Sequence, residues 1–245
     1  MSYEMFASVY DEVMDLALYE DWLRFSRRHL PQQPGRLLEL ACGTGALAVA
    51  FAKSGYQVTA LDLSAEMLAI ADQRAAEAQV DIQFVEGNML DLSEIGQYDA
   101  VTCFSDSLCY MPDQQAVRQV FDEVFNVLAD DGTFLFDVHS LHQVDTVFPG
   151  YSYHYQTDDF AFLWESYPGG QPHSVSHLLT FFVQTADEAL FQRYDELHEE
   201  RTYTLKDYHD MLGAAGFASV AVYGDFSDSS PDEETKRWFF VCRKA

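Results

Sequence analysis

The chain reads as an α/β fold built on a mostly parallel sheet with helices on both faces. Three features predict it. Short apolar runs alternate with amphipathic helical patterns from residue 36 to residue 138, the sequence signature of a βαβ architecture. The first run ends in a glycine turn, Ala41-Cys42-Gly43-Thr44-Gly45, that leads straight into a helix. And 245 residues, 48% of them hydrophobic, suffice for a full core.

The elements follow in order. A helix near 16–29 precedes the sheet. Strands are predicted at 36–41, 57–61, 81–86, 99–104 and 132–138, with helices near 45–54, 64–78 and 113–128 between them. The helix at 113–128 is the clearest: Val117, Val120, Phe121, Val124, Phe125 and Leu128 recur at helical spacing behind Asp113, a suitable cap. After His139 the pattern changes. Residues 151–204 hold twelve aromatics in 54 positions, with β-rich runs at 160–164 and 178–183 and a turn at Pro168-Gly169-Gly170. An antiparallel insertion over 140–203 is therefore expected on top of the sheet. Residues 1–139 and 204–245 form the main domain. It resumes at Thr204-Leu205-Lys206-Asp207, a capping-box pattern. The helix that follows puts Tyr208, Met211, Leu212 and Ala215 on one face and ends at Gly216. Strands at 217–223 and 236–242 flank the acidic loop from Asp225 to Glu234. So short a connection implies a hairpin, which makes the last strand antiparallel.

Charge narrows the partners. Forty acids against fourteen Lys and Arg give a net charge of −26. A phosphate backbone is held by basic side chains that displace counterions, so this balance argues against nucleic acid and against an anionic membrane surface. No run of about 18 apolar residues exists to span a bilayer. The start of the chain lacks the basic and apolar segments of a signal peptide. Cys42, Cys103, Cys109 and Cys242 form no C-x-x-C pair, which fits reduced thiols in the cytoplasm.

The chemistry concentrates at the carboxyl ends of the strands, where open α/β sheets bind ligands. Glu39 lies in the first strand just before the glycines. A carboxylate there repels a pyrophosphate but suits an ammonium or sulfonium, and S-adenosylmethionine (SAM) carries both. Gly43 and Gly45 let the backbone turn tightly and approach a ligand closely. Asp62 ends the second strand, 19 residues after Gly43, where it would accept both ribose hydroxyls of an adenosine; its other reading is to cap the helix near Ser64. Asn88, after the third strand, is either an adenine contact or a turn residue bonded to its own backbone. His139 and His142 follow the fifth strand and face the expected cleft, where a base could accept a substrate proton. His173 and His177 would share a strand face, but no third ligand stands at a metal-site spacing, and no metal is expected.

The stretch Leu38-Glu39-Leu40-Ala41-Cys42-Gly43-Thr44-Gly45 resembles motif I of class I SAM-dependent methyltransferases, with Ala41 in place of the first glycine. Glu86-Gly87-Asn88-Met89-Leu90 is similar to the segment that meets adenine in that family. Tyr98 to Ser107 resembles motif IV, without the Asn/Asp-Pro-Pro-Tyr/Phe of amide and adenine N-methyltransferases, so amino methylation of DNA or glutamine is disfavoured. Phe6-Ala7-Ser8-Val9-Tyr10-Asp11-Glu12-Val13-Met14 resembles the N-terminal lid of small-molecule methyltransferases of the sugar N-methyltransferase type and of related bacterial proteins.

The resemblance implies a Rossmann-like seven-stranded sheet of order 3-2-1-4-5-7-6 with strand 7 antiparallel. It also implies a cofactor set of Tyr10, Glu39, Ala41, Gly43, Gly45, Asp62, Leu63, Met67, Asn88, Met89, Phe104 and Ser105. His139 is the candidate base. The reaction would be in-line transfer of a methyl group from SAM to an amine, hydroxyl or carboxylate of a small molecule, leaving S-adenosylhomocysteine (SAH). The aromatic insertion would roof the acceptor pocket or form a homodimer contact.

Two other functions fit parts of the pattern. Gly43 to Ala48 satisfies G-x-G-x-x-A, and Asp62 suits NAD, but Glu39 and the absence of any Tyr-x-x-x-Lys oppose a dehydrogenase. A SAM-binding protein without turnover would keep motif I and need no base. Calorimetry separates the ligands: SAM and SAH are expected to bind with micromolar affinity and NAD not at all. Tight NAD binding without SAM binding would overturn the reading.

Overall fold

The computed structural model describes residues 16–31, 33–185 and 190–245. The lid motif with Tyr10 lies outside the described residues. The first helix, α1 (Leu16–His29), packs Trp22 and Phe25 onto the sheet. β1 (Arg36–Leu40), α2 (Ala46–Lys53), β2 (Gln57–Asp62), α3 (Ala65–Ala78) and β3 (Ile82–Glu86) make the first half. β4 (Tyr98–Cys103), a 3₁₀ turn (Ser107–Tyr110), α4 (Gln114–Val127) and β5 (Leu128–His139) start the second. A π turn at Gln143–Val147 leads to β6 (Ser152–Gln156), β7 (Phe160–Pro168), β8 (Ser174–Gln184) and β9 (Phe191–Arg201). The chain closes with α5 (Leu205–Ala215), β10 (Ser219–Gly224) and β11 (Arg237–Arg243).

The main sheet runs β3-β2-β1-β4-β5-β11-β10, with β11 antiparallel to both neighbours. This is the expected order. β1 and β4 run parallel, and the order in which strands are added reverses between them, so their carboxyl ends open a crevice for a ligand. One face carries α4 and α5: Val117, Val120, Phe121 and Val124 of α4 and Tyr208, Met211 and Leu212 of α5 pack over Phe134 and Phe136. The other carries α1 and α2, with Trp22, Phe25, Leu47 and Phe51 over Leu37, Ala60 and Phe239. β5 begins at Leu128, earlier than the expected 132, because Leu128 leaves α4 and already pairs with Tyr98 ahead of a bulge.

The expected insertion is a separate four-stranded antiparallel sheet, β6-β7-β8-β9. Side chains alternate across it. Its inner face carries Phe160, Phe162 and Trp164 of β7, His177, Leu179 and Phe181 of β8, and Glu196, His198 and Glu200 of β9. Leu163, Tyr167 and Leu197 point outward and are exposed. β9 thus inverts the usual pattern: its acids and histidine face inward while its leucine faces out. Among the described residues no helix is long and apolar enough to cross a membrane.

The capping box at Thr204 and Asp207 forms as the sequence predicts, and Gly216 ends α5 in a left-handed conformation. Gly45 caps α2 at φ 74, and a Cβ there would lie 2.7 Å from the Ala71 Cβ on α3. Gly45→Ala is therefore expected to cost more than the ~1–2 kcal/mol of the left-handed backbone alone. Urea denaturation would show this as a lower midpoint at an unchanged slope.

Candidate functional site

Glu39, in mid-sheet on β1, is 4% exposed, and its Oε2 has no hydrogen-bond partner. Burial and the nearby Asp62 hold its acid well above the usual carboxyl range. A buried carboxylate oxygen without a donor costs free energy unless a ligand supplies one. A small chamber beside Glu39 is walled by Trp22, Ala41, Cys42, Gly43, Phe104 and Ser105.

After β1 the chain turns sharply. Ala41 takes φ 53 and Gly43 φ 54. Ala41 accepts the left-handed conformation that a glycine in its place would adopt without cost. Nothing lies within 4 Å of where a Gly43 Cβ would be, so its backbone borders open space. Asp62 fastens this turn: Gly43 N–H donates to Oδ2 at 2.7 Å and Ser64 N–H to Oδ1 at 2.9 Å. The cap of α3 is Ser64, whose hydroxyl accepts from Met67 N–H. Asp62 therefore braces the loop before that helix, and each of its oxygens keeps lone-pair capacity for a ligand hydroxyl. Asn88 is exposed and its Oδ1 accepts from Leu90 N–H at 3.0 Å, the turn role, while Met89 is buried beside it. Leu63 is 70% exposed at the mouth of the cleft, and Met67 is buried in its wall.

Beyond β4, Ser105 and Asp106 both take left-handed φ angles, 58 and 50. Two such residues in sequence are strained, and the surroundings must hold them. Asp137 does: Asp106 N–H donates to its Oδ1, while Trp22 Nε1 and Arg237 Nη1 donate to its Oδ2 at 2.8 and 2.7 Å. Arg237 Nη2 also reaches Asp106 Oδ1 at 2.7 Å. Burial opposes the Asp106 charge, but His139 and Arg237 outweigh it and hold its acid well below the ordinary range.

His139 sits where the sequence placed it, at the end of β5, with Nε2 3.4 Å from both Asp106 Oδ2 and Glu200 Oε2. Burial would lower its pKa; the Asp106 carboxylate more than compensates, and the net shift is upward. His177 is buried, and its partner is not His173. His173 occupies the turn before β8 and pairs with Asp145, so the two do not share a strand face. Trp164 Nε1–H donates to His177 Nδ1, which leaves the proton of the neutral ring on Nε2, 3.6 Å from Glu200 Oε1. Burial and His139 lower the His177 pKa to about 4. Ligand-type atoms of Asp106, His139 and Glu200 lie within 4.8 Å of one another, but Arg237 already occupies Asp106, and the one His139 nitrogen is shared between the two carboxylates.

Sequence reading missed Glu200, His198, Arg237 and Asp137. The only signal in β9 is alternation, Glu196-x-His198-x-Glu200, and a charged alternating face normally points to water. Asp62, Asn88, Met89, Ser105, Asp106, His139, His177, Glu200 and Arg237 line one cavity of about 730 Å³, while Glu39 and Phe104 line the small chamber, which shares Ala41, Gly43 and Ser105 with it. Gly43, Asp62 and Met89 line one side, and Trp164, His177 and Glu200 the other.

A family model described as "Methyltransferase domain" matches residues 37–132. A Geobacillus sp. (strain WCH70) protein named "Putative methyltransferase GWCH70_2453" is 42% identical over 248 residues, covering 100% of both chains. The chain belongs to the SAM-dependent methyltransferase family. A solved SAM-dependent methyltransferase from Clostridium acetobutylicum ATCC 824 is similar over 99% of this chain and 98% of its own, at TM-score 0.85 and 26% identity. SAM-bound CalS10, an amino pentose methyltransferase from Micromonospora echinaspora, shares the fold at TM-score 0.76 and 19% identity over 100% of this chain and 98% of its own. The methyltransferase's cofactor is SAM.

Because Asp62 braces the glycine turn, Asp62→Ala is expected to weaken the free protein as well as ligand binding. Two backbone donors lose a charged acceptor, at about 1.5–3 kcal/mol each in favourable cases. Thermal melts with and without SAH would show both losses; an unchanged melt of the free protein would contradict the bracing role.

Proposed function

We propose that the protein methylates a small molecule held between its two sheets. The observation that carries this is the shared cavity: the strand ends of the main sheet and the aromatic underside of the second sheet face the same space. A volume of about 730 Å³ is within the range of small-molecule sites.

SAM fits the main-sheet side. Glu39 offers an unpartnered buried oxygen to a cationic or N–H-bearing group. Asp62 has capacity left for the ribose hydroxyls, and Asn88-Met89 with Leu63 and Met67 provide a wall for the adenine. Ala41, Gly43 and Gly45 let the backbone come close, and Phe104 and Ser105 border the methionine end. Bound there, SAM supplies an activated methyl group on a sulfonium. The protein's own task is then to align the acceptor and exclude water. Trp164, Tyr153 and Phe162 of the second sheet, with Tyr151 just before it, line the acceptor side of the cavity and are the residues for that task. His139 is poorly placed to take a substrate proton, because its Nε2 already lies 3.4 Å from the carboxylates of both Asp106 and Glu200.

Turnover of methyl-labelled SAM over a panel of amines, alcohols and carboxylic acids tests the activity. Trp164→Ala is expected to leave SAH affinity within about twofold and to raise the acceptor KM about tenfold or more, a change near 1.4 kcal/mol. An equal loss of SAH binding would contradict the division of labour between the sheets.

A further inference from the structure

The cluster of Asp106, Asp137, Glu200, Arg237 and His139 holds one carboxylate more than it holds basic groups, and His139 is shared between Asp106 and Glu200. Arg237 faces both Asp106 and Asp137. Glu200 is the third carboxylate of the group. It is 5% exposed, yet it lines the cavity, and its Oε2 has no hydrogen-bond partner. It reaches that position because β9 turns its polar residues inward, which costs desolvation free energy that an ordinary roof strand would avoid. The wall beside it is aromatic, with Phe148, Tyr151, Tyr153, Phe162 and Trp164 around the same space. A carboxylate at the base of an aromatic enclosure is the arrangement that selects an organic cation.

We propose that the methyl acceptor is an amine that arrives as its ammonium ion, and that Glu200 binds this ion and takes its proton. The inference rests on the reading of the cavity as the methyl-transfer site. The step balances: one N–H bond breaks, the proton moves to Glu200 Oε2, and the nitrogen keeps the electron pair. The freed lone pair forms the N–C bond as the methyl carbon leaves sulfur with the C–S electrons on sulfur. Glu200 then returns its proton to solvent.

The groups facing Glu200 set its basicity. Burial and Asp106 raise its pKa, His139, Tyr110 and Arg237 lower it, and it comes to rest at about 7. Neutral His177 stands on its other side. An ammonium near 10 lies about three units from such a base, within reach of a proton transfer. An alcohol is far too weak an acid for it, and a carboxylate acceptor would be repelled by it.

The probes are benzylamine and benzyl alcohol, equal in shape and different in charge, titrated calorimetrically into the SAH-saturated protein at about pH 6 and about pH 8. Benzylamine is expected to bind at least about tenfold more tightly at the higher pH, where Glu200 is ionised, with the preference shrinking at the lower. Glu200→Gln, nearly isosteric, should abolish the preference while leaving benzyl alcohol and SAH binding unchanged, and Glu200→Asp should restore part of it. Equal binding of the two probes to the unaltered protein, or a preference that survives in Glu200→Gln, would overturn the proposal. The pH dependence of the unaltered protein decides the matter even if a variant fails to fold. SAH binding is read separately. If SAH does not bind, the cofactor reading fails on its own, and the probe pair is compared on the free protein.

Discussion

The buried Asp137 carboxylate is the constraint on which the site depends. It is fully enclosed on β5 and receives three donors, from Trp22 on α1, Arg237 on β11 and the backbone of Asp106 beyond β4. A buried charge is tolerated only when its partners are well placed, and withdrawal of any one leaves the rest exposed to a desolvation cost of several kcal/mol. The network therefore fixes three separate segments relative to one another. One of them is the left-handed pair Ser105-Asp106, which would relax without it. That pair lies at the end of β4, beside the crevice at the point where the strand order reverses.

The same network passes its charge across the gap to the second sheet. Arg237 neutralises Asp106, Asp106 raises the pKa of His139, and His139 meets Glu200 on β9. The hydroxyl of Thr202, just beyond β9, also donates to the carbonyl of His139 at 2.7 Å. The roof is thus registered against the main sheet by polar contacts at one edge, while its aromatic underside stays free to face the cavity. Packing two sheets through apolar contact alone would have filled the space where a ligand must sit. Polar hinging at the base leaves it open.

The two sheets also differ in what they make rigid. Around the glycine turn the fixed elements are backbone ones: Asp62 holds Gly43 N–H, and α3 presses on Gly45. Under the roof the fixed elements are side chains, with Trp164 orienting His177 and Tyr110 contacting His198. Backbone geometry suits a cofactor of constant shape. Side chains on a strand can be exchanged without disturbing the sheet, so under the proposed function acceptor selection would fall to the roof.

Sequence by itself determined the sheet, its helices and the glycine turn, because these follow from local rules. Helical spacing in α4, the capping box at Thr204 and the left-handed demand at Gly43 and Gly45 each act within a few residues. Glu39, Asp62 and Met89 were legible for the same reason, since each lies at a strand end that the alternation already marked. The role of Asp62 was not. Which donors its oxygens meet depended on where β1 and β2 stand in register. Only the tertiary structure assembled the polar cluster. Arg237 and Asp137 are 100 residues apart, and Glu200 meets His139 only because a separate sheet folds back over β5. Nor could alternation in β9 say which face turns inward. Period two fixes that Glu196, His198 and Glu200 share a side; the identity of that side was decided by the partners waiting across the cavity.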